Sequence, residues 1–331
     1  MTDRGQKVGV LLLNLGGPDS LEAVRPFLFN LFSDREIIRL GPSFLQKPIA
    51  YLISALRHKK TEGFYGLIGG KSPILDITRA QARALESQLN ASRLTPHVSR
   101  PLKVFIGMRY WHPLVEEVVP EIHYEGIGKL VVLSLYPHYS IATTGSSLSK
   151  LNEVISHFPI ETFAVRSWYH HPLYIDALVE KIKKGMASFQ GKGDVRILFS
   201  AHSLPVKFIV EGDPYAEHIR GTIGEITKRI DIPWDLSYQS KSGPVKWLEP
   251  STDEMIRSLA GKGVRNLLVV PISFVSDHIE TLYEIDILYK NMAGSLGMRL
   301  ERAESLNTSA LFISALEDIV NKGIKEAGWA E

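Results

Sequence analysis

The chain has 331 residues, 44% hydrophobic and 22% charged, and 38 Lys plus Arg nearly balance 36 Asp plus Glu for a net charge of +2. That balance gives a globular protein with ample core material; it excludes extensive disorder and lacks the basic excess of a general nucleic-acid binder. Cysteine is absent, which excludes disulfides, thiol nucleophiles, and zinc or iron–sulfur sites built on thiolates.

Following the chain, the apolar run that begins at Val8 is too short for a signal peptide and has no small-residue cleavage pattern. No stretch reaches the roughly 18 apolar residues of a membrane span, so a cytoplasmic location is expected. Continuous apolar runs, the mark of buried parallel strands, lie at 8–15, 103–108, 130–136 and 162–168, then at 195–200, 236–239, 266–272 and 299–305. Helical periodicity occupies 74–90, 113–124 and 147–158, then 173–189, 215–230, 252–260, 279–296 and 310–327. Strand alternating with helix predicts βαβ units. The pattern occurs twice, and the halves meet near residues 191–194. We therefore expect an α/β protein of two similar lobes, each a four-stranded parallel sheet flanked by helices, with a cleft between them. The first lobe is expected at 1–190 and the second at 191–331, with the C-terminal helix free to pack back on the first. In such sheets ligands gather beyond the carboxyl ends of the strands.

Residues 28–60 interrupt the pattern. Phe44, Leu45, Ile49, Leu52, Ile53 and Leu56 can share one helical face, and Arg57-His-Lys-Lys60 follows. Two readings stay open: a core-packing helix with a polar cap, or an exposed apolar lip facing a greasy substrate or a membrane surface.

Some motifs are missing. Gly16-Gly17-Pro18 follows the first strand without completing a dinucleotide fingerprint, and Gly70-Lys71-Ser72 lacks the earlier glycine of a P-loop. No GxSxG elbow occurs. The run 143–147, Thr-Thr-Gly-Ser-Ser, suits a helix cap or an anion-holding turn. His202 stands where the fifth strand should end, and its imidazole can take a proton near neutrality or bind a metal; Ser200 and Ser203 could orient it. After the seventh strand, a helix expected from Ser276 or Asp277 would place Asp277, Glu280 and Glu284 on one stripe, with His278 beside it. Such a stripe either caps the helix or raises its members' pKa values and attracts cations. A His and a carboxylate file without thiolates would hold a divalent ion loosely, as suits a metal passed on as substrate. Aromatic residues gather at other strand ends, at Tyr110, Trp111, Tyr136, Tyr139, Tyr238 and Trp247, with Arg109 and Lys241 available for carboxylates.

These motifs together resemble the ferrochelatase family, enzymes that insert Fe(II) into a porphyrin. Asn14-Leu-Gly-Gly-Pro18, Ile68-Gly-Gly-Lys-Ser-Pro73, Met108-Arg-Tyr-Trp-His-Pro113, Tyr136-Pro-His-Tyr-Ser140 and the 143–147 run carry the resemblance in the first half. Phe199-Ser-Ala-His-Ser-Leu-Pro205, Tyr238-Gln-Ser-Lys241 and Ser276-Asp-His-Ile-Glu-Thr-Leu282 carry it in the second. The resemblance implies two Rossmann-like lobes around a porphyrin. It makes His202 the essential histidine and Glu280 the essential acid, both meeting the metal. Asp277, His278 and Glu284 would form an acidic path, and Leu15, Arg109, Tyr110, Tyr136, Ser140 and Trp247 would contact the porphyrin. Residues 28–60 would be the lip over the porphyrin, touching the membrane in some members. Fe(II) would be a substrate, with no tightly bound cofactor and, without cysteine, no [2Fe–2S] cluster. Lys71 stands where a third glycine is common. Tyr238-Gln-Ser-Lys241 and Lys246-Trp-Leu248 resemble the protoporphyrin-using branch, so insertion of Fe(II) into protoporphyrin IX in haem synthesis is expected. Coproporphyrin III as substrate, a chelatase for another tetrapyrrole, or a porphyrin carrier without turnover are the alternatives.

Overall fold

The structure is a computed structural model that describes residues 7–91, 101–189, 191, 193–243 and 245–330; Gln190 and Lys192, at the expected junction of the halves, lie outside the described residues. Strands form at all eight apolar runs: β1 (Lys7–Asn14), β2 (Lys103–Met108), β3 (Ile127–Ser134), β4 (Glu161–Val165), β5 (Val195–His202), β6 (Trp234–Gln239), β7 (Asn266–Pro271) and β8 (Arg299–Arg302). They build two four-stranded sheets, ordered β2-β1-β3-β4 and β6-β5-β7-β8, and every pair is parallel. The second sheet repeats the first strand for strand. The inner strands β1, β3, β5 and β7 are buried along most of their length. That burial on both faces is why they read as unbroken runs of Val, Ile and Leu rather than as alternating patterns. Edge strand β4, with the sequence Glu-Thr-Phe-Ala-Val, stays largely exposed.

The chain divides into two compact units, Met1–Trp168 with Thr308–Glu331, and Tyr169–Asn307. The division falls after Trp168 rather than at 190, because helix Pro172–Ala187 belongs to the second unit. Its apolar face, with Tyr174, Ile175, Leu178 and Ile182 buried, packs on β7 and on helix Tyr215–Thr227. Gly185 permits the close approach: a Cβ there would sit 2.7 Å from Leu268 Cδ1. The C-terminal helix, Ala310–Glu326, packs on helix Ile74–Ala91, β3 and β4 of the first unit. Gln88 Nε2 ties the two helices by donating to Glu317 Oε2 at 2.6 Å and Ser314 Oγ at 3.0 Å.

Residues 28–60 fold into the end of helix Val24–Ser33, a turn at Ser43–Leu45 and most of helix Gln46–Leu67. The two helices pack on each other through a face that includes Ala50 and Ser54. Buried Gln46 pins the intervening loop, donating to Phe32 O (2.7 Å) and Ile38 O (2.9 Å) and accepting from Leu40 N. The predicted common apolar face splits: Ile49 and Ile53 are half-buried, whereas Phe44 is 76% and Leu56 74% exposed, with Tyr51 and Leu52 exposed beside them. Among the described residues no helix is long and apolar enough to cross a membrane.

In each sheet the chain crosses from the first strand to one side and then to the other. The carboxyl ends of β1 and β3, and of β5 and β7, are therefore the topological switch points where α/β sheets bind ligands. In the second unit that point lies between His202, the last residue of β5, and the loop that follows Pro271.

Candidate active site

His202 and Glu280 meet there. His202 Nδ1 lies 2.8 Å from Glu280 Oε2, and with the carboxylate as acceptor the ring must carry its hydrogen on Nδ1. The backbone around His202 is fixed on both sides: its N–H donates to Ser273 Oγ (2.9 Å) and its carbonyl accepts from Tyr215 Oη (2.9 Å). Glu280 Oε2 also accepts from Gln239 Nε2 (3.2 Å) and Ser240 Oγ (2.7 Å), both at the end of β6. Gln239 is itself oriented, since Ser200 Oγ donates to its Oε1 at 2.6 Å. The His202 side chain is 36% exposed and the Glu280 side chain 15%, and with Nδ1 turned to Glu280 the ring's other nitrogen, Nε2, is the one with a lone pair to offer. Burial works against the charged ring of His202. The adjacent Glu280 carboxylate, their hydrogen bond and the charge of Glu284 outweigh it and hold the imidazole pKa above its ordinary value. Burial likewise works against ionised Glu280, but the His202 charge, the hydrogen bond from it and nearby His278 hold this carboxyl well below the usual range.

Ser240 bridges two carboxylates. Its Oγ is 2.7 Å from Glu280 Oε2 and 2.6 Å from Glu284 Oε2, and its backbone sits in the left-handed region at φ 66°, which a residue other than glycine adopts at a cost. One hydroxyl supplies one hydrogen, so the second short contact needs a proton on a carboxyl. Glu284 is the holder: burial and the charge of Glu280 push its pKa up to about 7 against the lowering effects of Ser240 and His202. A carboxyl raised from 4.5 to about 7 binds its proton more tightly when folded. It therefore withdraws stability as the pH climbs from the lower value to the higher, by about 3 kcal/mol in full. Glu284→Gln should abolish that slope, melting above the parent at pH 8.5 and close to it near pH 5; parallel melting curves at both pH values would contradict this.

The acidic stripe is corrected. The segment Glu280–Tyr289 is a π-helix, not an α-helix begun at 276 or 277, so the i, i+3, i+7 face does not exist. Glu280 and Glu284 come together on Ser240, while Asp277 turns away to Arg302, whose Nη1 lies 2.9 Å from its Oδ1. His278 is buried; its Nδ1 lies 3.2 Å from Ser276 O, and its Nε2 is 3.8 Å from Glu280 Oε1, too far for a direct hydrogen bond. Among the described residues no three His, Asp or Glu side chains are grouped as a metal site. His202 and Glu280 offer two donors at most. Sequence reasoning missed Gln239, Ser240, Ser273 and Tyr215 as their supports; the signals available were the position of Gln239 and Ser240 at a strand end and their place in the Tyr238-Gln-Ser-Lys241 motif.

In the first unit the strand-end residues serve a different carboxylate. Asp34, unnoticed in the sequence, is buried and its Oδ2 accepts from Arg109 Nη2 (2.7 Å), Tyr110 Oη (2.6 Å) and Ser146 Oγ (2.5 Å). Burial opposes its ionisation, but Ser146, Tyr110 and Arg109 more than offset that and keep its pKa below the ordinary value. Arg109 is thus already paired and Tyr110 is fully buried; both anchor the chain leaving helix Val24–Ser33. Arg109→Met should cost about 2–3 kcal/mol in chemical unfolding, because a buried carboxylate loses its counter-charge, and the deficit should fade as acid protonates Asp34. A loss below 0.5 kcal/mol at pH 7 would make the pair dispensable. Ser140 is spent as a cap, its Oγ accepting from Ala142 N at the start of the short π-segment Ile141–Gly145. Leu15 and Tyr136 are half-buried, and Leu15 stands at a turn that Gly16 makes with φ +83°. In the second unit Trp247 is half-buried and bridges to Pro205. Lys241 is exposed and lies 3.6 Å from Glu254.

The ferrochelatase family profile matches residues 7–324. The chain belongs to the ferrochelatase family. It is 52% identical over 323 residues to the ferrochelatase of Geotalea uraniireducens, covering 96% of this chain and 98% of that one. It is 47% identical over 328 residues to the ferrochelatase of Synechocystis sp., covering 97% and 83%. Among solved structures, SirB from Bacillus subtilis with Fe3+ superposes with a TM-score of 0.56 at 11% identity, covering 98% of this chain and 99% of that one; at that identity the likeness is one of fold. Ferrochelatases are metal chelatases, classed as lyases, that act in haem synthesis on a porphyrin and a metal ion, and this chain is such an enzyme. With no cysteine in the sequence, this chain has no ligands for a thiolate-held iron–sulfur cluster.

Proposed function

We propose that the chain inserts Fe(II) into protoporphyrin IX, releasing two protons and giving protohaem, with His202 and Glu280 as the residues that meet the reacting atoms. One observation carries this: the 2.8 Å pair of His202 and Glu280 at the β5–β7 switch point, in a chain of the ferrochelatase family. With Nδ1–H donated to Glu280, the Nε2 lone pair of His202 can take a pyrrole proton, and the carboxylate stabilises the imidazolium that forms. Glu280, Ser240 and Glu284 lie in one hydrogen-bonded chain that can take the second proton at Glu280 and pass it on through Ser240 once Glu284 has released its own proton to solvent. Fe(II) enters as a substrate. Two protein donors of N and O type hold such an ion weakly, which favours its transfer to the four porphyrin nitrogens. Trp247, half-buried in the same unit as His202, is our candidate for apolar contact with the macrocycle. No resident cofactor is needed for this chemistry.

The likeness of Tyr238-Gln-Ser-Lys241 and Lys246-Trp-Leu248 to the protoporphyrin-using branch supports that substrate. Anaerobic assays with each porphyrin separately should give kcat/KM for protoporphyrin IX at least about tenfold above that for coproporphyrin III; the reverse ranking would assign the chain to the coproporphyrin branch. We place the enzyme in the cytoplasm. Exposed Phe44, Tyr51, Leu52 and Leu56 beside Lys59 and Lys60 support peripheral contact with a lipid surface.

A further inference from the structure

The π-helical segment Glu280–Tyr289 runs for ten residues. Its backbone bonds reach five residues back, as in Lys290 N to Ile285 O, and such segments are usually single turns found at functional sites. Something outside the segment must hold so long a run in register. Arg302, at the end of β8, links its middle to the residue ahead of it. Its Nε donates to Asp286 Oδ1 at 2.9 Å and its Nη2 to Asp286 Oδ2 at 2.8 Å, a two-pronged contact with the middle of the segment. The third nitrogen, Nη1, donates to Asp277 Oδ1 at 2.9 Å, just ahead of the segment. The Arg302 side chain is only 11% exposed.

Asp277 is largely committed to neighbours within the fold. Its Oδ1 also accepts from Ser305 Oγ (2.7 Å) and has Thr281 Oγ1 at 3.2 Å, and its Oδ2 accepts from Asn307 Nδ2 (2.9 Å). Its backbone N–H donates to Asn307 Oδ1 (3.0 Å). A carboxylate held by so many fixed partners is suited to anchoring the chain ahead of the segment.

We propose that Arg302 and Asp277 are positioning residues: the guanidinium fixes the π-register of 280–289 from its middle and from the residue ahead of its start, and so sets Glu280 against His202, and Asp277 takes no part in carrying metal or protons. This rests on the function proposed above. The test compares Arg302→Met, Arg302→Lys, Asp277→Asn and the Met/Asn double variant with the parent, using Zn(II) insertion as an oxygen-tolerant assay and amide hydrogen exchange across 280–289. Arg302→Met should lower kcat by about 10- to 100-fold, leave the KM for porphyrin within about twofold and speed exchange in the segment. Arg302→Lys, which keeps the charge but not the fork, should recover part of kcat. The double variant should be no slower than Arg302→Met alone, since both substitutions break one unit. Wild-type kcat in Arg302→Met together with a dead Asp277→Asn would overturn the proposal and make Asp277 a carrier of protons or metal. Independent, multiplying losses would also overturn it. A parent that metallates no porphyrin would sink the functional reading instead; unchanged exchange in Arg302→Met would then still refute the brace, and faster exchange would still support it.

Discussion

His202→Ala should lower kcat for metal insertion by about a thousandfold or more while porphyrin still binds with near-parental affinity. General-base groups contribute about 10²–10⁴ to rate, and the supports around His202 leave no substitute. Its nearest titratable neighbour, Glu280, has Oε2 already committed to Gln239 and Ser240. The binding half of the prediction separates chemistry from folding. Backbone contacts of His202 with Ser273 and Tyr215 do not involve the imidazole and survive its removal. Fluorescence titration with porphyrin checks binding and initial rates check turnover. Near-normal turnover in His202→Ala would remove the base from the account.

Glu280→Gln should cost about 10²–10³ in kcat, nearly as much, for a different reason. The amide has the same shape but no charge, so it neither stabilises an imidazolium nor enforces one ring tautomer; the analogous change in a Ser-His-Asp triad costs about 10⁴. The pH profile tells the two effects apart. Glu280 is the main influence that raises the His202 pKa against burial. Once it is neutral, that pKa must fall, and a base with a lower pKa stays unprotonated at lower pH. The acid limb of the kcat/KM profile should therefore move to lower pH in Glu280→Gln even though the plateau is lower. An acid limb that stays in place would assign it to another group, and full activity would reduce Glu280 to a structural acid.

Much of this architecture is legible in the sequence because inner parallel strands are buried on both faces. β1, β3, β5 and β7 had to be continuous Val, Ile and Leu runs, and their order along the chain then put His202 and the 272–280 loop at strand ends. What was not legible depends on long-range partners or on unusual backbone. Asp34 meets Arg109 and Ser146 from 75 and 112 residues away, and no local pattern announces that. The glycine-containing stretch at 191–194 suggests a boundary near 190, yet the buried face of helix Pro172–Ala187 matches the second sheet and the division falls after Trp168. The π-register leaves no period of its own in ten residues, so the helical spacing of Asp277, Glu280 and Glu284 suggested a stripe that the backbone does not make. Ser240 owes its place between two carboxylates to a positive φ that its residue type does not advertise.

The most direct test of the central claim is anaerobic absorbance spectroscopy of the purified protein with Fe(II) and protoporphyrin IX, run beside the His202→Ala variant. We expect the four visible bands of the free-base porphyrin to collapse catalytically into the two bands of the metalloporphyrin with the parent, and to persist with the variant. A spectral shift that saturates at one porphyrin per protein without turnover in the parent, or equal turnover in both proteins, would contradict the role given to the His202–Glu280 pair.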